Sequence, residues 1–209
     1  MDQIVFSPNS QDLSALVASR LCHDLGNPLG AVSNGVELLQ MSGMANSPEM
    51  ALIADALRDT EARLRFFRIA YGAARPDQHI SEREARNILS QIYGAGRLTV
   101  DWLLTGDLPR HHVKSAFLMI ACAEAALPMG GHIKIAQPER GTVTVGADGP
   151  RILHDLSGLA WLGWASHSTP SPREVQFLML LKEAAEIGAE ISLSLSDTRL
   201  QIKLQGSRL

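Results

Sequence analysis

Cysteine is scarce in this chain, with two among 209 residues, Cys22 and Cys122. Neither has a partner at metal-ligand spacing, so the thiols are read as free, in a reducing compartment. Long apolar runs are missing too: no stretch of about 18 such residues is present to cross a bilayer. The opening MDQIVFSPNSQD has no charged leader followed by an apolar core, so no secretory signal is expected there and the expected location is cytoplasmic. Positive charge is not in excess. A formal net charge of −3 without a long basic patch argues against binding nucleic acid through phosphate contacts. What remains, 45% hydrophobic and 20% charged residues, describes an ordinary globular chain that can fill one large core or two small ones.

The most ordered pattern lies in residues 13–43. Ala15, Ala18, Cys22, Leu25, Leu29, Val32, Val36 and Leu39 recur by fours and threes, the stripe of a helix in a bundle. Winding at about 100° per residue places His23 nearly opposite that stripe, with Arg20, Asn27, Gly30 and Asn34, and so toward water. Gly26, Pro28, Gly30 and Gly35 interrupt the composition of this helix but not its period. The proline alone costs about 3 kcal/mol, and it leaves the Asp24 carbonyl without an amide partner, so a kink is expected one turn after His23. Small residues beside an exposed imidazole leave room for another surface; a tolerated kink is the plainer reading.

Ser47 and Pro48 then open a second helix to about Tyr71, whose Met50, Ile53, Leu57, Thr60, Leu64, Phe67 and Tyr71 repeat the spacing. Two stripes joined by a short turn make an antiparallel hairpin. A lone hairpin cannot enclose its stripes on both sides, so two chains are expected to pair into a four-helix bundle, a homodimer. Arg58, Arg63, Arg65 and Arg68 against Asp59 and Glu61 read as a solvated face or as a surface that attracts an acidic partner. The period is lost at residues 73–77, giving domains 1–76 and 77–209.

The second part alternates between helix and strand. Ser81 and Glu84 stand at capping-box spacing before a helix to Tyr93. Residues 98–104, 132–135 and 142–145 read as strands and 111–127 as a helix. Residues 172–187 read as a helix stopped by Gly188, and 191–195 with 200–204 as a closing hairpin. A two-layer α/β sandwich follows. The other histidines carry no ligand spacing: His111 and His112 adjoin at a helix start, where neighbouring side chains diverge, and His79, His132, His154 and His167 are read as structural or surface residues.

The run His23-Asp24-Leu25-Gly26-Asn27-Pro28-Leu29 resembles the H-box of two-component histidine kinases, and the longer SRLCHDLGNPLGAVSNGVELL resembles more closely the ChpT-type histidine phosphotransferases of alphaproteobacterial phosphorelays. The order of the second domain resembles the ATP-binding domain of those kinases. Where the resemblance wants a magnesium-holding asparagine, eight residues before Gly130-Gly131, stands Cys122, with Glu124 the nearest oxygen donor. The first glycine box reduces to Asp148-Gly149, which a surface turn explains equally well. The last box, where glycine amides would cradle a triphosphate, reads Ser168-Thr169-Pro170-Ser171-Pro172-Arg173, and its prolines remove amides. Trp161 and Trp164, where a kinase places its ATP lid, read as core residues or as an apolar patch for a partner.

The resemblance therefore implies a phosphohistidine carrier with no cofactor of its own. His23 would accept a phosphoryl group from the aspartyl phosphate of a hybrid kinase's receiver domain, which brings its own Mg²⁺, and pass it to response regulators that control cell-cycle or motility genes. Asp24 would orient a ring proton, Asn27 would reach the imidazole or a phosphoryl oxygen, and Arg20, Gly30 and Asn34 would meet the partner. Phosphatase activity toward a receiver would use the same residues. Two alternatives share parts of the pattern: an active cytoplasmic histidine kinase, and a non-catalytic dimer that binds receivers or kinases.

Overall fold

The computed structural model of the protein describes residues 13–41, 48–154, 158–159, 162 and 172–206. They form two compact units, divided between Ala73 and Ala74.

The first unit holds α1 (Leu13–Met41) and α2 (Pro48–Ala70). Helix α1 runs unbroken through Pro28. The two helices pack on each other, and a β-carbon added at Gly26 would lie 3.6 Å from Leu64 Cδ2, an ordinary van der Waals contact. Arg68 in turn stands close enough to Cys22 to pull its thiol pKa down, although burial pushes it up more strongly. Both pairs are equidistant in sequence from residue 45, as an antiparallel hairpin requires. Within it Cys22 and Val36 are buried and Leu29 is half-buried. Three residues of the stripe are left uncovered by this chain's α2: Leu25 remains 54% and Val32 51% exposed, and Leu39 is exposed as well.

The second unit is a five-stranded sheet in the order β2-β4-β5-β7-β6 beside a two-stranded ribbon of β1 (His79–Ile80) and β3 (Leu108–Pro109). The strands of the sheet are β2 (Leu98–Trp102), β4 (Gly131–Glu139), β5 (Thr142–Asp148), β6 (Glu190–Leu195) and β7 (Arg199–Gln205). Strands β2 and β4 run parallel and the other pairs antiparallel. Helices α3 (Glu82–Tyr93), α4 (Arg110–Ala126) and α5 (Val175–Ile187) supply the other layer, the last entered through a 3₁₀ turn at Pro172–Glu174. Period-two alternation sends Ile133, Ile135, Val143, Val145, Leu200, Ile202 and Leu204 into the core, while Thr99, Asp101, Lys134 and Gln201 are exposed. The sandwich thus has the layers expected. The β1–β3 ribbon was not expected, because two-residue strands, one of them ending in proline, carry no period to read.

Local chemistry closes the elements. Ser81 Oγ accepts from the Glu84 amide at 3.1 Å, capping α3. The Glu82 carboxylate accepts from the Gly106 amide at 2.8 Å and from Arg86 Nε at 2.7 Å, which holds its pKa below the usual range and ties the β2–β3 connection to the start of α3. Gly188 stops α5 in the left-handed region at φ 66°. Between α4 and α5 the Lys114 ammonium meets the Glu183 carboxylate at 2.6 Å, both side chains almost wholly buried. Burial pushes Glu183 up and Lys114 opposes it.

Candidate functional site

The hairpin presents His23 to water, its side chain 68% exposed. The reason lies in the helix period. With Cys22, Leu29 and Val36 turned toward α2, and Leu25, Val32 and Leu39 about 60° round from them, His23 falls opposite the second column. In the antiparallel register, Phe67, Thr60 and Ile53 of α2 run beside Leu25, Val32 and Leu39 respectively, and both Phe67 and Ile53 are exposed. One face of the hairpin is therefore an apolar ridge, and the other carries the imidazole.

Asp24 Oδ1 lies 3.1 Å from His23 Nδ1. An ionised carboxylate only accepts, so this contact assigns the ring proton to Nδ1 and leaves the lone pair on Nε2. That tautomer has a nucleophilic nitrogen directed away from its neighbour. Asn27 and Asn34 are exposed on the same face, and among the described residues neither makes a hydrogen bond to His23. Gly30 is half-buried, with nothing within 4 Å of where a β-carbon would stand. The Arg20 side chain lies outside the described residues.

Positions where the resemblance looked for nucleotide ligands are engaged otherwise. The Cys122 thiol is fully buried, which raises its pKa well above the ordinary value. Glu124 Oε2 accepts from the Tyr93 hydroxyl at 2.8 Å. Asp148 Oδ1 pairs with Arg199 Nε at 2.7 Å across β5 and β7. Gly130 sits at φ 83° with its Cα against the Arg97 carbonyl, where a β-carbon would come within 2.3 Å of the oxygen, so the Gly130-Gly131 pair serves a tight turn into β4. Residues 168–171, Trp161, Trp164 and His167 lie outside the described residues.

The remaining histidines are placed by their neighbours. His132 bridges two residues of the edge strand, with Nδ1 3.1 Å from Thr99 Oγ1 and Nε2 3.2 Å from Asp101 Oδ2. His154 Nε2 lies 3.5 Å from Asp197 Oδ1. The His111 and His112 rings, expected to diverge, meet edge to face with centroids 4.6 Å apart, because an aromatic contact favours rotamers that fold toward each other. Among the described residues no group of three or more potential ligands is placed to hold a metal, and no helix is long and apolar enough to cross a membrane.

Sequence reasoning missed two features. Lys114 and Glu183 lie far apart in the chain and meet only through the packing of α4 on α5. The position of the α2 arginines relative to His23 depends on the register of the hairpin, which the stripes alone leave undetermined.

The model of the histidine phosphotransferase C-terminal domain matches residues 82–199, more than half of the chain and wholly within the α/β unit. The protein phosphotransferase ChpT of Brucella abortus (strain 2308) is 37% identical over 126 residues, 59% of this chain and 60% of that protein. The aligned region thus spans about three-fifths of that relative's length. A solved bacterial phosphotransferase superposes with a TM-score of 0.67 at 29% identity, covering 96% of this chain and 98% of that one. The histidine kinase domain of the Erythrobacter litoralis EL346 blue-light activated kinase aligns at a TM-score of 0.46 and 19% identity over 89% of this chain and 96% of that one. The matched α/β unit, continuous with a hairpin that exposes an oriented imidazole, is accounted for by one assignment: the chain belongs to the histidine phosphotransferase family.

Proposed function

We propose that this chain is the histidine phosphotransferase of a phosphorelay: His23 accepts a phosphoryl group from an aspartyl phosphate on the receiver domain of a hybrid kinase and passes it to response-regulator receivers. The observation that carries the reading is the geometry of His23, an exposed ring whose Nδ1 is held by Asp24 at 3.1 Å so that Nε2 is free to attack. The Nε2–P bond forms as the acyl O–P bond breaks and its electron pair returns to the receiver's carboxylate. The proton stays on Nδ1, where Asp24 stabilises the imidazolium that phosphorylation leaves. The receiver supplies Mg²⁺ to neutralise charge in a loose transition state. This chain contributes position, and Asn27, Gly30, Asn34 and Arg20 form the surrounding docking face.

The second domain is read as having no nucleotide or magnesium ion of its own. A buried thiol at Cys122, a Glu124 already holding Tyr93 and an Asp148 paired with Arg199 leave the expected ligand positions unsuited to a hard cation and a triphosphate. The apolar ridge supports the remainder of the proposal: a second copy covers Leu25, Val32 and Leu39 with Ile53 and Phe67, closing a four-helix bundle that keeps both His23 rings outside. Such a dimer would act in the cytoplasm, where its phosphorylated partners reside.

The test incubates the full chain with radiolabelled ATP alone, and separately with a receiver already phosphorylated on aspartate, and scores acid-labile, base-stable label. Label from the receiver only, lost in His23→Ala with the fold retained, is the expected result. Label from ATP alone would make the chain a kinase, and no label from either donor would leave a non-catalytic binding protein.

A further inference from the structure

We infer that Arg65 of α2 holds the phosphoryl group during its passage to His23, an inference that rests on the phosphotransferase reading above. Leu64, whose Cδ2 lies 3.6 Å from where a β-carbon on Gly26 would stand, sets the register of the hairpin, and the nearness of Arg68 to Cys22 agrees with it. From those contacts, at about 100° per residue, Arg65 and Arg58 project on the side of the hairpin that carries His23, and Arg63 projects on the far side. Along the axis Arg65 is level with Leu25, about 3 Å from the level of His23, and packed helices stand about 8–10 Å apart. An imidazole and a guanidinium leaving neighbouring helices in the same direction at nearly the same height frame a space that a phosphoryl group fills. Arg58 lies two turns nearer the hairpin tip and does not frame that space.

Arg65 is also the least committed of these cations. Arg63 Nε donates to Asp59 Oδ2 at 3.1 Å, and Arg58 is in close contact with Asp55. Arg65 Nη2 stands 3.8 Å from Glu61 Oε2, beyond hydrogen-bond distance, and its side chain is half exposed. A dianionic phosphoryl group offers the guanidinium two parallel charge-assisted hydrogen bonds that this distant carboxylate does not. The guanidinium would offer the phosphoryl oxygens a positive charge on the side of the acceptor ring. In the transfer the Nε2–P bond forms, the donor's bond to phosphorus breaks with the electron pair going to the leaving group, and the ring proton remains on Nδ1. Arg65 exchanges no proton and acts on the non-bridging oxygens.

The experiment measures single-turnover labelling of His23 in the full-length protein with two donors: a receiver phosphorylated on aspartate, and phosphoramidate, which has no protein surface and releases ammonia. Arg65→Gln is expected to slow labelling about 10- to 100-fold with both donors, as removal of a preorganised charge from a transferring group does. Arg65→Lys is expected to restore part of that loss with an unchanged melting temperature, and Arg58→Gln to leave the phosphoramidate rate unaltered. A wild-type rate for Arg65→Gln with phosphoramidate would overturn the inference, as would equal losses in Arg65→Gln and Arg58→Gln, which would indicate general attraction of a charged partner. Persisting label in His23→Ala would instead overturn the phosphotransferase reading itself.

Discussion

Helices α1 and α4 are both at least half apolar and have opposite fates. In α4, from Val113 to Ala126, nearly every side chain is buried within its own unit, including Lys114 and Ser115. In α1 only Cys22 and Val36 are, among the described side chains, while Leu21, Leu25, Val32 and Leu38 stay exposed. The difference comes from what each helix has to pack against. α4 packs on the sheet and beside α5, whereas α1 has a single helix as its neighbour in the hairpin. A core helix in a closed sandwich is finished by its own chain. A hairpin helix has faces left over, and here one is apolar and the opposite one carries His23, the two faces that the proposed second copy and the proposed receiver would meet.

The sharpest way to break this comparison is to charge the leftover face. Val32→Glu in both copies buries two unpaired carboxylates, and the proposed dimer is expected to dissociate to monomers in light scattering at micromolar concentration. An unchanged mass would mean that the ridge is not the interface.

Next in size is the closed core of the other unit. Lys114→Met strands the buried Glu183 carboxylate and is expected to cost about 3–5 kcal/mol in urea unfolding, whereas Lys114→Met with Glu183→Leu restores stability to wild type or above. A double variant no better than the single one would show that the pair is worth more than its desolvation.

Smaller is the backbone effect at Gly188, whose φ of 66° places a β-carbon in strain; Gly188→Ala is expected to cost about 1 kcal/mol by the same measurement.

The smallest concerns acid. The Gly106 amide holds Glu82 below the ordinary carboxylate pKa, so its contribution is present above the unfolded-state value and is lost as pH falls through the folded one. Glu82→Gln is therefore expected to lower stability slightly near neutrality, where the ionised carboxylate contributes, and to flatten the acid limb so that the two profiles meet at low pH. An identical acid limb in the variant would remove Glu82 from the account.

Much of this was legible without coordinates. Alternation in β7, Gly188 at the end of a periodic run and the two stripes of the hairpin are local patterns, each set by the period of one element. So was the exposure of His23, since a helix with a continuous apolar stripe has one direction left for a polar residue. The β1–β3 ribbon was not, because strands of two residues carry no pattern and form only where the tertiary fold brings Gln78 and Arg110 together, the Arg110 amide donating to the Gln78 carbonyl at 2.8 Å.

By itself, then, the sequence determined the longer elements and the helix period that turns the imidazole outward. The tertiary structure decided what depends on register and distance. Asp24 is within hydrogen-bond reach of Nδ1 rather than Nε2, Glu124 and Asp148 are bonded within the chain, and Lys114 finds Glu183. Periodicity fixes which way a side chain points from its own axis; only packing fixes how two axes are turned and slid against each other, and the proposed chemistry lies between two helices.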